Sequence, residues 1–206
     1  VGSEMCIRDS NTGLRKDIAR RVADAVDDAE PAVRTDLRAS AELSHRLLRL
    51  DVPHWRVTDA EYATLQKEVA ELEAQLEKID QSDRLSSAYT ATVSRMAWCK
   101  RAIDRYENPV ATIPVESHVV RLGDIAFVTA PFEYYLDFGD RIKARSDAVQ
   151  TFVVQLVGGG SYLPTERAAA GCSYGAVPAS CKVSPAGGQV IVDEGVAAVS
   201  EMLSAG

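Results

Sequence analysis

Three consecutive glycines, Gly158 to Gly160, precede Tyr162 in the stretch GGGSYLPTE and raise the first chemical question about this sequence. A glycine loop can cradle a phosphate through its backbone N–H groups, but such loops follow GxxxxGK[ST] or GxGxxG patterns. Neither pattern is present, and no lysine or arginine occurs within six residues after Gly158. We therefore expect the glycines to let the backbone approach a neighbouring group closely, beside Tyr162.

The stretches around this loop predict where Tyr162 and Glu133 lie. IAFVTAPF, which Glu133 follows directly, and VQTFVVQLV are almost continuously apolar, as is typical of strands covered on both faces. Between them EYYLDFGDRIKARS predicts a helix whose inward side chains are Tyr135, Phe138 and Ile142. A strand-helix-strand unit predicts two parallel neighbouring strands, and ligands usually bind at the carboxyl edge of such sheets. Glu133 and Tyr162 are therefore candidate site residues.

Upstream of this unit the sequence predicts a helix and a strand. Leu14, Ile18, Val22 and Val26 recur every four residues, which predicts an amphipathic helix from Gly13 to Ala29, ended by Pro31. The alternation of apolar and mostly polar residues over 33–43 predicts a half-buried strand.

Residues 58–107 predict an antiparallel helical hairpin. Thr58 and Glu61 form a capping box, and apolar residues then recur every three or four positions on both sides of the polar link DQSD. A last helix is predicted from Gln189 to Leu203. The predicted fold class is α/β, with α+β as the alternative: a sheet containing the β-α-β unit, covered by helices, with the hairpin inserted.

The composition excludes several functions. The 206 residues carry a net charge of -7 without a basic stripe, so nucleic acid is not an expected partner, and no apolar run approaches the roughly 20 residues of a membrane span. The four cysteines form no CxxC pair; for Cys172 and Cys181 both reduced packing residues and a disulfide in an exported chain remain open. His45, His54 and His118 are isolated, lack metal-ligand spacing and are predicted to be structural.

Three segments in order resemble the C-terminal portion of the catalytic domain of neutral/alkaline non-lysosomal ceramidase-like proteins, especially the bacterial branch. They are RLGDIAFVTAPFEYYLDFG, SYLPTERAAAGCSYGA and SPAGGQVIVDE. The resemblance is strong from Pro114 onward and looser in the hairpin, where VPHWRVTDAEYATL resembles that branch's linker. It implies that residues 11–206 are the C-terminal part of one larger catalytic domain, with the missing N-terminal half as partner. Localisation is open, and an exported parent, periplasmic or extracellular, is what the resemblance implies.

The resemblance also implies a zinc-dependent amidase and assigns residues. The family's strand-end glutamate, a zinc ligand, corresponds to Glu133 in PFE, and the tyrosine of its YxxT turn, another ligand, corresponds to Tyr162. A second tyrosine, which contacts the substrate at the scissile amide, corresponds to Tyr174 in CSYGA. Phe132 replaces a common glycine, and Gly175 stands where the ceramidases proper carry glutamate. The substrate is therefore a lipid amide or a different N-acyl compound.

The chemistry of the site suits these residue types. A catalytic zinc activates a water that attacks the amide carbonyl. In the family two histidines from the N-terminal half complete the zinc shell, so we expect these residues alone to bind zinc weakly and to be inactive.

Purely structural roles are the alternative for the same three residues. Glu133 can lie in the first turn of the following helix, and Tyr162 and Tyr174 can be ordinary half-buried aromatic residues. The alternative function is a non-catalytic relative that acts as an interaction or structural module, with the helical hairpin as its working surface and a vestigial metal site.

The first ten residues, VGSEMCIRDS, resemble the peptide translated from a sequencing adapter at the ends of metagenomic gene fragments. They show neither periodicity nor a signal-peptide pattern. We therefore expect Val1 to Ser10 to take no part in the fold.

Overall fold

The computed structural model describes residues 12–80, 82–171, 173 and 175–205. Its main sheet has the order β1-β2-β3-β5, with β1 Leu43–Pro53, β2 Thr112–Leu122, β3 Ile125–Thr129 and β5 Gln150–Val154. A separate two-stranded sheet pairs β4 Glu133–Tyr134 with β6 Tyr162–Leu163. The helices are α1 Thr12–Thr35, α2 Asp59–Leu76, α3 Ser87–Glu107, α4 Leu136–Arg145, α5 Glu166–Ala170 and α6 Pro185–Ser204. The α/β class is confirmed. The expectation that Val1 to Ser10 take no part in the fold concerns residues outside the described ranges.

The β-α-β unit predicted from the sequence is confirmed. β3 and β5 are parallel neighbours, with Phe127 opposite Phe152, and α4 connects them. β1, β2 and β3 are antiparallel, and the β2–β3 turn contains Gly123 at φ +61°, a conformation that glycine adopts without strain.

The core lies between one face of the main sheet and the helices α4 and α6. Phe138 and Ile142 of α4 are buried as predicted, and Phe138 stacks on Tyr134 with ring centroids 4.7 Å apart. A Cβ at Gly188 of α6 would lie 2.3 Å from the Phe138 Cζ, so this glycine lets the helix pack directly against the ring. α6 begins at Pro185, earlier than predicted, because Ser184 caps it and proline suits a first helical position.

We call the opposite face of the main sheet the open sheet face. The apolar runs of β3 and β5 predicted that this face would also be covered, and it is not. Its apolar and histidine residues are Leu43, His45, Leu47, His118, Val120, Leu122, Ile125, Phe127, Phe152 and Val154. Phe152 and Val154 are 44% and 39% exposed. The expectation of strands covered on both faces was therefore wrong for β3 and β5: Ala126, Val128 and Thr151 are buried on the core side, whereas the side chains of the open sheet face are half-buried or exposed.

The N-terminal elements differ from their prediction. α1 continues through Pro31 to Thr35, since a proline removes one helix hydrogen bond but does not oblige the helix to end. The strand predicted over residues 33–43 is also wrong: its first residues belong to α1, and β1 begins at Leu43. Along α1 the side chains of Ile18, Val22 and Val26 are exposed and form an apolar stripe at the surface of the described structure.

The antiparallel helical hairpin of α2 and α3 is confirmed, and so is its capping box at Thr58 and Glu61. Tyr62 near the start of α2 stacks on Tyr106 near the end of α3, with ring centroids 4.0 Å apart. None of the described helices is both long and apolar enough to cross a membrane.

We expect Cys99 and Cys181 to resist alkylation in the native protein. Both are free and buried; burial raises the pKa of the Cys99 thiol and raises that of Cys181 to about 12. At pH 8 only about one Cys181 thiol in 10⁴ is then the reactive thiolate. Mass spectrometry after iodoacetamide treatment, with and without urea, measures this. Labelling of native Cys181 as fast as in urea, or its recovery in a disulfide, would contradict the expectation; Cys172 lies outside the described residues.

Candidate functional site

Glu133 and Tyr162 are direct cross-strand partners. They face each other in the parallel ladder of β4 and β6, and the Glu133 N–H donates to the Ser161 carbonyl at 3.1 Å. In-register residues of neighbouring parallel strands lie about 4.8 Å apart and project to the same side. The structure therefore brings the two candidate ligands together. Glu133 lies in β4 and not in the first turn of α4, so it does not stabilise that helix from within, as one of the simpler readings held.

The turn after Tyr162 is anchored to α4. Thr165, 1% exposed, caps α5, and its hydroxyl also donates to the Asp137 carboxylate at 3.2 Å. Arg167 pairs with the same carboxylate at 2.7 Å. These contacts explain the threonine of SYLPT: it fixes the chain that carries Tyr162 against the helix that follows Glu133.

The glycine loop does bring the backbone close to a neighbour, as predicted. A Cβ at Gly160 would lie 1.3 Å from the Pro131 carbonyl oxygen, whereas a Cβ at Gly159 would meet nothing within 4 Å. Gly158 has φ +129°, where side chains are strained. The close approach is therefore made by Gly160, against the segment that leads into Glu133.

Glu133 and Tyr162 open onto a cavity of 570 Å³, which we call the Glu133 cavity. Its lining residues are Trp98, Arg101, Asp104, Arg105, Glu133, Gly160, Ser161, Tyr162, Ala179, Ser180 and Lys182. One wall is thus the end of α3, and the others are the strand ends, the glycine loop and the segment before α6. The hairpin, predicted as a solvated packing element or as the working surface of a non-catalytic module, forms part of the lining of this cavity.

Arg101, Arg105 and Lys182 form a cationic wall of this cavity, which was not predicted from the sequence. Arg105 donates to the carbonyls of Cys181 and Pro178, and Trp98 donates its indole N–H to the Ser180 hydroxyl at 3.0 Å, so α3 holds the segment before α6. Burial lowers the pKa of Arg105. The only sequence signal was the four-residue spacing of Arg101 and Arg105, which places both on one helix face.

Tyr174, the predicted substrate-contacting residue, lies outside the described residues. Its neighbour Gly175 has φ +73°, and a Cβ there would lie 2.8 Å from the Tyr162 ring. The chain around Gly175 therefore passes directly against Tyr162. A larger side chain at this position would require Tyr162 or this segment to move.

His45 and His118 form a pair, which corrects the expectation that they are isolated. His45 Nε2 and His118 Nδ1 lie 2.9 Å apart on the open sheet face, with the rings stacked. The sequence did not reveal this because the two residues meet only through the β1–β2 register. His54 is buried near Arg105 and Lys182, and burial, followed by these two cations, lowers its pKa.

Glu133 and Tyr162 bring two oxygen donors, a carboxylate and a phenol, to the same cavity. Carboxylate oxygen is an established zinc ligand, and both side chains share one side of a ladder and one cavity. Over the part of the chain that the structure describes, no three or more His, Cys, Asp or Glu side chains are grouped for a metal ion.

Comparison of the chain with models of protein families, with curated proteins and with solved structures finds no match.

Proposed function

We propose that the chain is part of a zinc-dependent amide hydrolase of the ceramidase-like type, with Glu133 and Tyr162 as two zinc ligands. The observation that carries the proposal is their in-register pairing at the edge of one cavity. The remaining ligands would come from polypeptide beyond these 206 residues. The substrate would be a lipid amide or another N-acyl compound, and Tyr174 would contact its amide.

The bound metal would supply a Lewis acid and an activated water for attack on the amide carbonyl. The chain's own residues contribute placement and charge. Glu133 is held by the ladder bond to Ser161, and Tyr162 is held between the Gly175 segment and the edge-on ring of Tyr135, whose centroid lies 6.5 Å away. The backbone of Glu133 and the ring of Tyr162 are thereby held in place before any ion arrives, which lowers the entropy lost on binding.

The cationic wall affects metal affinity. Arg101, Arg105 and Lys182 repel a dication, while the two donor oxygens attract it. With only half of a coordination shell the chain should bind free zinc weakly, because two ligands replace the ion's waters incompletely.

A zinc ion that already carries one 2,2′-bipyridine tests the proposal, because the chelator supplies the two nitrogen donors that the chain lacks. Isothermal titration calorimetry should show one such complex per wild-type chain. Tyr162→Phe and Glu133→Gln should each weaken binding by more than about tenfold, since loss even of an outer-shell partner costs that much.

Two matched variants control this titration. Tyr135→Phe removes a neighbouring phenol and should leave the affinity unchanged, and His45→Ala removes the histidine pair as a competing site. Equal affinity in wild type and Tyr162→Phe, measured in the His45→Ala background, would refute the ligand assignment.

The second candidate function is a non-catalytic interaction or structural module. The open sheet face and the apolar stripe of α1 favour it, because contiguous exposed apolar surface marks interaction sites. Its partner would be a polypeptide that covers these apolar residues, such as the N-terminal half that the ceramidase-like resemblance implies. A wild-type chain that binds no zinc–bipyridine complex while Phe152→Ser improves its solubility would favour this candidate.

A further inference from the structure

We propose that the Glu133 cavity contains a binding site for an anionic group, a carboxylate or a phosphate, formed by Arg101, Arg105 and Lys182. These cations line the cavity with only two carboxylates, Asp104 and Glu133, although the chain as a whole has a net charge of -7. The cavity lining therefore carries one net positive charge on an acidic protein.

The three cations are not neutralised by ion pairs. Among the described residues, none of the three lies in a salt bridge: Arg105 donates to backbone carbonyls, and the Asp104 carboxylate accepts from the Asn108 amide at 2.9 Å. Arg105 is half-buried and Arg101 and Lys182 are exposed, so an anion placed in the cavity can take charge-assisted hydrogen bonds from cations that form no ion pair among the described residues.

The positions of the cations suit one shared ligand. Arg101 and Arg105 are four residues apart on α3, and Arg105 donates back to the Arg101 carbonyl, so both lie on the same helix face. Lys182 faces them from the segment before α6, whose backbone is held by Trp55 and by Ser161. Arg101 and Lys182 are exposed and free to reorient onto a ligand, while Arg105 is fixed.

His54 lies close enough to two of these cations to sense their charge. Burial lowers the pKa of this histidine first, and the positive charges of Arg105 and Lys182 lower it further. A bound anion offsets those charges, so the pKa of His54 should rise toward its ordinary value on binding.

This anion site restricts the class of substrate that the cavity can bind. The restriction rests on the proposed hydrolase function. An anionic group held by Arg101 and Lys182 lies in the same cavity as Glu133 and Tyr162. An N-acylated amino acid carries such a carboxylate next to its amide, whereas a neutral lipid amide does not. The geometry thus points to an N-acyl substrate with a negative charge close to the amide.

The test uses the metal-free chain and nuclear magnetic resonance of the His54 ring. N-acetylglycine should raise the pKa of His54 and bind saturably, and its neutral methyl ester should do neither. Inorganic phosphate serves as the second anion: binding of phosphate but not of N-acetylglycine would keep the anion site and overturn the N-acyl amino acid assignment.

The variants remove exposed cations only, since Arg105 holds the fold. Arg101→Gln with Lys182→Gln should weaken N-acetylglycine binding by about tenfold or more, because hydrogen bonds to charged groups are lost. Lys78→Gln with Arg84→Gln removes the same charge at the other end of the hairpin and should leave binding unchanged. Equal loss in both double variants, or no binding by the wild-type chain, would overturn the site.

One variant distinguishes failure of the anion-site proposal from failure of the zinc proposal. Glu133→Gln should lose the zinc–bipyridine complex but keep or tighten N-acetylglycine binding, because it removes a negative charge from the cavity. Anion binding without zinc binding would refute only the hydrolase, and the reverse would refute only the anion site.

Discussion

Replacing Phe138 with alanine is expected to lower the free energy of unfolding by about 3–5 kcal/mol, the usual cost of truncating a buried phenylalanine. Phe138 is 1% exposed and packs between the Tyr134 ring and the backbone of Gly188. The variant leaves a void that these neighbours cannot fill, because the glycine carries no side chain. Since small domains are stable by only about 5–15 kcal/mol, this is a large share of the total.

Urea denaturation followed by circular dichroism measures the change. Phe152→Ala is the matched control: the same truncation at a ring that is 44% exposed on the open sheet face should cost markedly less. Equal losses for the two variants would show that Phe138 is not at the centre of the core.

Gly160→Ala is expected to lower the free energy of unfolding by about 1–3 kcal/mol and to weaken binding of the zinc–bipyridine complex. The new Cβ would lie 1.3 Å from the Pro131 carbonyl oxygen, so the glycine loop must move by about 2 Å to reach ordinary contact distance. Ser161, the next residue, accepts the bond from the Glu133 N–H. Moving the loop therefore disturbs the pairing of Glu133 with Tyr162.

The neighbouring glycine is a close control for this prediction. A Cβ at Gly159 meets nothing within 4 Å, so Gly159→Ala should leave both stability and binding nearly unchanged. Similar effects of the two substitutions would mean that the loop is strained by any side chain and not by contact with Pro131.

The parts of the fold that local patterns encode were predictable. The β-α-β unit follows from two apolar runs flanking an amphipathic stretch, and the hairpin follows from a capping box and regular apolar spacing. β1 was placed wrongly because alternation over residues 33–43 satisfied the strand pattern, while LSHRLLRLDVP forms the strand through pairing along its whole length with β2. Pairing with a distant strand is not visible in a local pattern.

In the candidate site, too, local patterns predicted some residues and missed those that are brought together by distant packing. Glu133 and Tyr162 were placed at one edge because both follow strands of a parallel pair. Arg101 and Lys182 are 81 residues apart, and they meet only because the hairpin packs against the segment before α6. The His45–His118 pair depends likewise on a register that no spacing rule contains.

A crystal structure of the chain with zinc and 2,2′-bipyridine, with the ion located by its anomalous scattering, tests the central claim most directly. We predict one ion with a Glu133 carboxylate oxygen and the Tyr162 phenol oxygen each at about 2.0–2.2 Å. An ion bound only between His45 and His118, or one held by Glu133 without Tyr162, would contradict the claim that this pair of residues forms the metal site.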